Sequence, residues 1–447
     1  MPNILLGLLV FLATSTAFAA DPKPLMRDFM GINGHTIQFK SDLYAPLCRL
    51  VRDYHPYFWD VDNKPGNPTH FPLGIELGWK DKTGKFRDWP GRVDWNVLYS
   101  QWQKDGFEVD ACLQFDGVKF DKWPDIEKNT YDYGKAFASY CGPLHHKLVT
   151  SAEIGNEPAG NKQYSAEQYK IVLRNMSRGL REGDPKLKIV SCAVQAGKAD
   201  GYCEPIDVLK GEDKSYDVIN LHQYAFLSAW PTYERSYPEN EKIEFLRQLQ
   251  KGLDWRRGNA PGKQVWLTEF GYDSSTTKPD AKNPKWKGCT DLQQAQWIVR
   301  SFLVMSELDL QRAYLYFFDD NDQPSVHASS GVTRHLEPKP SYWAMRHLYQ
   351  SLGDYRLNKV IEKKDGGACV FEFVNGKKAN QIVWAAWLAS GTNEESEKVM
   401  KLPGKLIKAE RMPLTESENA GAVIDVQKDR SAKVPLTESP IYIWMEK

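Results

Sequence analysis

The sequence has no excess of charge of either sign: 58 Lys and Arg stand against 58 Asp and Glu. That balance excludes nucleic acid or an anionic membrane surface as the main partner, since both are held through a net cationic face. Long hydrophobic runs are missing too. The apolar stretch at residues 4–12 is too short to span a bilayer, and no later stretch is apolar enough. There is no internal repeat and no low-complexity tract. No C-x-x-C pair and no histidine-rich spacing marks a zinc site, so neither a metal nor another cofactor is expected. Cysteine is sparse and odd in number: the seven are Cys48, Cys112, Cys141, Cys192, Cys203, Cys289 and Cys369. At least one must stay outside any pairing within the chain. Cys192 and Cys203, close in sequence across a glycine-containing loop, form the expected disulfide.

What is present points outward from the cell. The apolar stretch 4–12 followed by the small-x-small pattern Ala17-Phe18-Ala19 predicts a signal peptide over residues 1–20, and hence a secreted or periplasmic protein. Aromatic residues make up 12% of the chain, with 15 Trp and 21 Tyr. Their flat apolar faces suit the C–H faces of sugars as well as cores. At 447 residues the chain can hold an α/β barrel and a smaller partner domain.

Periodicity supports that architecture. Strand-like runs fall at 29–35, 50–59, 109–115, 148–158, 188–195, 216–226, 264–273 and 312–319. Helix-like runs lie between them at 42–50, 94–105, 130–141, 165–182, 204–210, 241–257 and 291–308, with a last one at 340–352. Asp94 is the expected N-cap of the second of these. Eight strand–helix units close a (β/α)8 TIM barrel over residues 28–353, whereas an open doubly wound sheet has fewer. After about residue 354 the pattern changes to short β-rich runs at 368–374, 381–388, 406–412 and 441–444, separated by Gly366-Gly367 and Asn375-Gly376. Residues 354–447 are therefore expected to form a small antiparallel, sandwich-like β domain packed on the barrel. The stretch 60–93, rich in Pro, Gly and Trp, is a long loop of the kind that serves function or covers a cleft.

Two of the strand-like runs end in a carboxylate. Residues 148–158 finish in Asn156-Glu157-Pro158, where the proline stops the ladder. Residues 264–273 carry Glu269 in Thr268-Glu269-Phe270-Gly271. Carboxylates at the C-terminal ends of barrel strands stand at the mouth where barrel enzymes do chemistry. Two of them are the minimum equipment for hydrolysing a glycosidic bond. One must hold a proton for the leaving oxygen, and the other must stay ionised.

With Asn-Glu-Pro on the fourth strand and a second Glu on the seventh, the chain resembles clan A of the retaining glycoside hydrolases, in particular the β-xylosidase/α-L-iduronidase family and its barrel-plus-β-domain relatives. The resemblance spans the whole barrel and the β-rich tail. It implies that Glu157 is the general acid/base, Glu269 the nucleophile, and Asn156 a partner of the sugar 2-hydroxyl. His222 and Tyr224, in Asn220-Leu221-His222-Gln223-Tyr224, match the clan's His-x-Tyr, whose tyrosine supports the nucleophile. Arg52 matches a second-strand arginine that keeps the nucleophile ionised. Many clan members carry a Trp at the end of strand eight; here the run is Tyr316-Phe317-Phe318-Asp319-Asp320. Phe317 or Phe318 is expected to replace it, with Asp319 placed to hydrogen-bond substrate. His55 and the loop tryptophans, Trp123 and Trp230 above all, complete the expected substrate contacts.

Each residue also has a plainer reading. A strand-end glutamate can cap a loop, His222 can be a hydrogen-bonded structural histidine, and Arg52 can serve a structural ion pair. Among Trp79, Trp89, Trp123, Trp230 and Trp286, two or three are expected to meet sugar and the rest to pack loops. The expectation is a secreted retaining glycosidase whose partner is a carbohydrate substrate. The alternative is a catalytically silent glycan-binding protein on the same barrel.

Overall fold

The computed structural model describes residues 22–77, 91–197 and 201–447. The expected signal peptide, and Trp79 and Trp89 of the long loop, lie outside the described residues. Eight parallel strands form the ring: Met30–Gly34, Leu50–Pro56, Glu108–Gln114, Ser151–Ile154, Lys188–Gln195, Val218–His222, Gln264–Phe270 and Arg312–Leu315. Each pairs with its neighbour in sequence, and the eighth pairs with the first, so the barrel closes without an edge.

The helices outside the ring follow local signals. Trp95–Lys104 starts at Asp94, whose carboxylate accepts the backbone N–H groups of Asn96 and Val97. Ala166–Gly183 and Asp291–Met305 each begin with a reciprocal capping box, Ser165 with Gln168 and Thr290 with Gln293. Two expected helices are much reduced. The one after the first strand is a single turn, Ser41–Tyr44, because Pro46 cannot continue it. The one after the fifth strand is the 3-10 turn Ile206–Leu209, which follows Pro205.

The barrel interior has two layers. Leu50, Val190, Val218, Trp266 and Tyr314 form an apolar plug near the strand starts. Above it the interior is polar: Asn33, Arg52, Asp110, Glu153, Asn220 and Thr268 are all buried. Buried groups of this kind cost free energy unless they satisfy one another, and Asn33, Arg52, Glu153, Asn220 and Thr268 do so through shared hydrogen bonds.

Beyond Tyr355 the chain is antiparallel. A five-stranded sheet runs in the order Tyr355–Lys363, Ala368–Asn375, Gln381–Leu388, Ile441–Glu446, Lys405–Arg411. A three-stranded sheet of Ser396–Lys401, Ser431–Leu436 and Asp425–Val426 covers one face of it. Alternation divides the residues of Gln381–Leu388. Ile382, Trp384 and Ala386 pack with Met400 and Val434 of the smaller sheet, whereas Val383, Ala385 and Trp387 join the core that includes the barrel. Buried Arg300 of the barrel spans the junction. It binds Glu239 at 2.6 Å and donates to the Ser390 carbonyl at 2.9 Å, while Trp387 Nε1 donates to Glu239 at 2.7 Å.

Candidate active site

The fourth strand ends at Ile154, and Gly155 turns the chain with φ of +83°. A Cβ there would stand 2.7 Å from the Phe115 ring, so the turn needs glycine. Asp116, beyond the third strand, accepts the backbone N–H groups of Asn156 and Glu157 at 3.1 and 3.4 Å. Glu157 is thereby aimed over the barrel mouth.

Glu269 arrives from the seventh strand through a bulge. Leu267 pairs with Leu221, but Glu269 pairs with His222, which leaves Thr268 as an extra residue. Strict alternation would send successive side chains to opposite faces. The bulge lets Thr268 and Glu269 both meet the interior network. Glu269 Oε1 accepts from Arg52 Nη1 at 2.9 Å and from the Tyr54 hydroxyl, while Oε2 accepts from the Tyr224 hydroxyl at 2.8 Å. Burial alone would raise its pKa. The His222 and Arg52 charges and the two tyrosine donors outweigh burial and hold it down at about 2.

His222 joins the two carboxyls. Its Nδ1 shares a 2.8 Å hydrogen bond with Glu157 Oε1 and lies 3.6 Å from Glu269 Oε2. One imidazole nitrogen thus touches both carboxyls, which face each other across the barrel mouth. Its Nε2 lies 2.9 Å from Thr268 Oγ1. Burial pulls the imidazole pKa down, but Glu269 and Glu157 more than reverse this and raise it.

Arg52 is the hub beneath. Besides Glu269, it donates from Nη1 to Asn33 Oδ1 at 2.9 Å, from Nη2 to Asn156 Oδ1 at 2.8 Å, and from Nε to Glu153 Oε2 at 2.6 Å. Five of the eleven expected residues, Arg52, Asn156, His222, Tyr224 and Glu269, are thus in one network with Glu157.

The other expected contacts fall elsewhere, for physical reasons. On the second strand Arg52 and Tyr54 face inward, so His55 faces outward with Asp53. It is buried between Tyr99 at 2.8 Å and Asp60 at 2.6 Å, and stacks on Trp95. Trp123 is buried with its Nε1 donating to the Tyr164 hydroxyl at 2.9 Å. Trp230 is 78% exposed and does not line the cleft. Trp286 is buried. Phe318 packs on Phe39 and Tyr44, and Asp319 accepts from Thr333 Oγ1 and the Leu336 N–H at 2.7 Å each. With Asp320 bound to Lys339, the Asp319-Asp320 pair anchors its own loop. The Cys192–Cys203 disulfide is also corrected: all seven cysteines are thiols. Cys192 is in the main apolar core, while Cys203 turns toward Glu157, with Sγ 3.7 Å from Oε1.

The two glutamates line a cleft of about 490 Å³, a size that suits a small ligand. Tyr316, rather than Phe317 or Phe318, supplies the aromatic wall from strand eight. His35, Tyr54, Trp59, Gln114 and His327 also line it, and none was singled out from sequence. Tyr54 had a signal, since it is two residues beyond Arg52 on a strand. His35, stacked on Phe317, has its pKa lowered to about 4 by burial and is neutral.

No family model matches the chain, and no curated protein matches it. Solved structures do. A family 39 glycoside hydrolase from the gut symbiont Bacteroides cellulosilyticus is 17% identical with a TM-score of 0.65, over 95% of this chain and 81% of that one. A family 51 α-L-arabinofuranosidase from Bifidobacterium longum is 12% identical with a TM-score of 0.62, over 95% of this chain and 97% of that one. A glucosidase from Croceicoccus marinus is 13% identical with a TM-score of 0.60, over 96% of this chain and 97% of that one. At these identities the likeness establishes the fold. It is a parallel eight-stranded barrel with an added β domain, shared with these glycoside hydrolases.

Proposed function

We propose that the protein is a secreted retaining glycoside hydrolase that cleaves O-glycosidic bonds of a polysaccharide or oligosaccharide by double displacement. The observation that carries this is the contact of one His222 nitrogen with both carboxyls, at 2.8 Å to Glu157 and 3.6 Å to Glu269. The two share one imidazole neighbour, yet their surroundings differ. Donors and cations gather on Glu269, which keeps it ionised as the nucleophile. Glu157, hydrogen-bonded to His222 and partly open to the cleft, shares a proton with the imidazole and delivers it to the leaving oxygen. Glu269 then forms a sugar ester, and Glu157 deprotonates the water that releases it. Asn156, steadied by Arg52, faces the same cleft and is suited to the 2-hydroxyl. The named activities of the similar structures, an arabinofuranosidase and a glucosidase among them, support a carbohydrate substrate. Export rests on the short apolar stretch and Ala17-Phe18-Ala19. A silent glycan-binding protein has no need of a nucleophile held at about 2.

The test is hydrolysis of a panel of neutral and sulfated glycans. The proposal expects activity on at least one, abolished by Glu269→Gln. Glu157→Gln is expected to lower activity by about 10²–10⁴-fold on substrates with poor leaving groups and far less on activated aryl glycosides, with partial rescue by azide. Full activity in Glu269→Gln would overturn it.

A further inference from the structure

Among the described residues, one group of histidine, cysteine and carboxylate side chains is gathered tightly enough to hold a metal ion: the ligand atoms of Glu157, Cys203 and His222 all lie within 4.8 Å of one another. No sequence spacing announces it, because Glu157 follows the fourth strand, Cys203 lies in the loop after the fifth and His222 ends the sixth. Cys203 Sγ and His222 Nδ1 stand 3.7 and 2.8 Å from the same Glu157 oxygen. The Glu157 side chain is 23% exposed and lines the cleft, so an ion can enter there, with buried Cys203 and His222 behind it.

We propose that these three side chains form a binding site for a thiophilic divalent cation of the Zn²⁺ type, and that an ion seated there blocks the cleft. Zinc bonds of roughly 2.0–2.3 Å at tetrahedral angles put neighbouring ligand atoms about 3.3–3.7 Å apart. The cysteine–glutamate pair already has that spacing, and the histidine–glutamate pair reaches it by opening about half an ångström as its hydrogen bond gives way. A fourth ligand would be supplied by water. A thiolate ligand selects Zn²⁺ and Co²⁺ over Mg²⁺ and Ca²⁺, which require oxygen donors. Binding breaks the Sγ–H bond and removes the proton shared by Nδ1 and Oε1. Two protons go to solvent, three lone pairs go to the metal, and no oxidation state changes. Thr268 Oγ1, 2.9 Å from His222 Nε2, orients the ring from behind as outer-shell partners of metal-bound histidines do. The block of hydrolysis rests on the proposed function, since it acts by occupying Glu157; the binding itself does not.

The experiment titrates the full chain with Co²⁺ and follows thiolate-to-cobalt absorption in the near ultraviolet. The expected result is one such site per chain, emptied by excess Zn²⁺. Cys203→Ser should lose the band although six other thiols remain. Glu157→Gln should keep the band while weakening Co²⁺ binding by about tenfold or more. Absence of a thiolate band in the unaltered protein, or a band undiminished in Cys203→Ser, overturns the site. If Cys203→Ser does not fold, Glu157→Gln decides: unchanged Co²⁺ affinity overturns the site. The readout involves no hydrolysis, so a chain that binds Co²⁺ through Cys203 yet, stripped of metal by a chelator, cleaves no glycan refutes the enzymatic proposal and leaves the metal site standing.

Discussion

Arg52 Nε donates to Glu153 Oε2 across 2.6 Å, with both side chains wholly out of solvent. This pair turns the guanidinium so that its far nitrogens meet Glu269 and Asn156. Burial raises the Glu153 pKa to about 7 despite the pull of Arg52. Glu153 therefore holds a proton more readily than a free carboxyl, whereas Glu269, fed by the same guanidinium and two tyrosine hydroxyls, is held ionised.

Replacing Arg52 should be severe on both stability and activity. Arg52→Met leaves buried carboxyls without their cation and is expected to cost about 3–5 kcal/mol, read by urea denaturation. Arg52→Lys keeps a charge but lacks the fork that reaches three partners, and should recover only part of the loss. A methionine variant as stable and active as the parent would remove Arg52 from the account.

The pH dependence of stability follows from two opposite shifts. Glu269 has its folded pKa lowered from 4.5 to about 2, so its stabilisation is present above 4.5 and is lost as pH falls toward 2. His222 is raised above 6.5, so its stabilisation is full below 6.5 and is lost as pH rises through the higher folded value. The stability gap between the parent and Glu269→Gln should therefore shrink between pH 4.5 and 2, measured by denaturant titration at each pH. A gap that stays constant over that window would contradict the ionised state assigned to Glu269.

The β domain is expected to unfold together with the barrel. Arg300 is buried between Glu239 and the Ser390 carbonyl, and Asp365 accepts from the Tyr237 hydroxyl at 2.7 Å. Arg300→Met should destabilise the chain by about 3–5 kcal/mol, since it strands Glu239. It should also open the junction to limited proteolysis. A protease that releases a stable C-terminal fragment from the unaltered protein would show the two parts to be independent.

Much of the barrel was legible because its strands are short β-prone runs between amphipathic helices. Lys188–Gln195 and Pro340–Leu352 match expectation residue for residue. The strands Tyr355–Lys363 and Ser396–Lys401 were not read because they are half exposed and rich in Lys and Glu, and Ser431–Leu436 because Pro435 demotes a short run. In the site, residues at strand ends were legible, since the barrel aims them at one mouth. His55 went wrong by one step of strand alternation, the step that separates it from Arg52 and Tyr54. Glu153 and Asn33 were invisible because nothing local marks an inward-facing polar residue. The bulge that places Thr268 and Glu269 together exists only in the pairing with His222.

The stereochemistry of the first-formed product tests the central claim most directly. With Glu269 as the proposed nucleophile and Glu157 as the proposed acid/base, both within reach of one imidazole nitrogen, hydrolysis takes two inversions and hence gives net retention. Proton NMR of the anomeric signals during early hydrolysis should show the product with the anomeric configuration of the substrate, appearing before mutarotation. An initial product of inverted configuration would contradict the account.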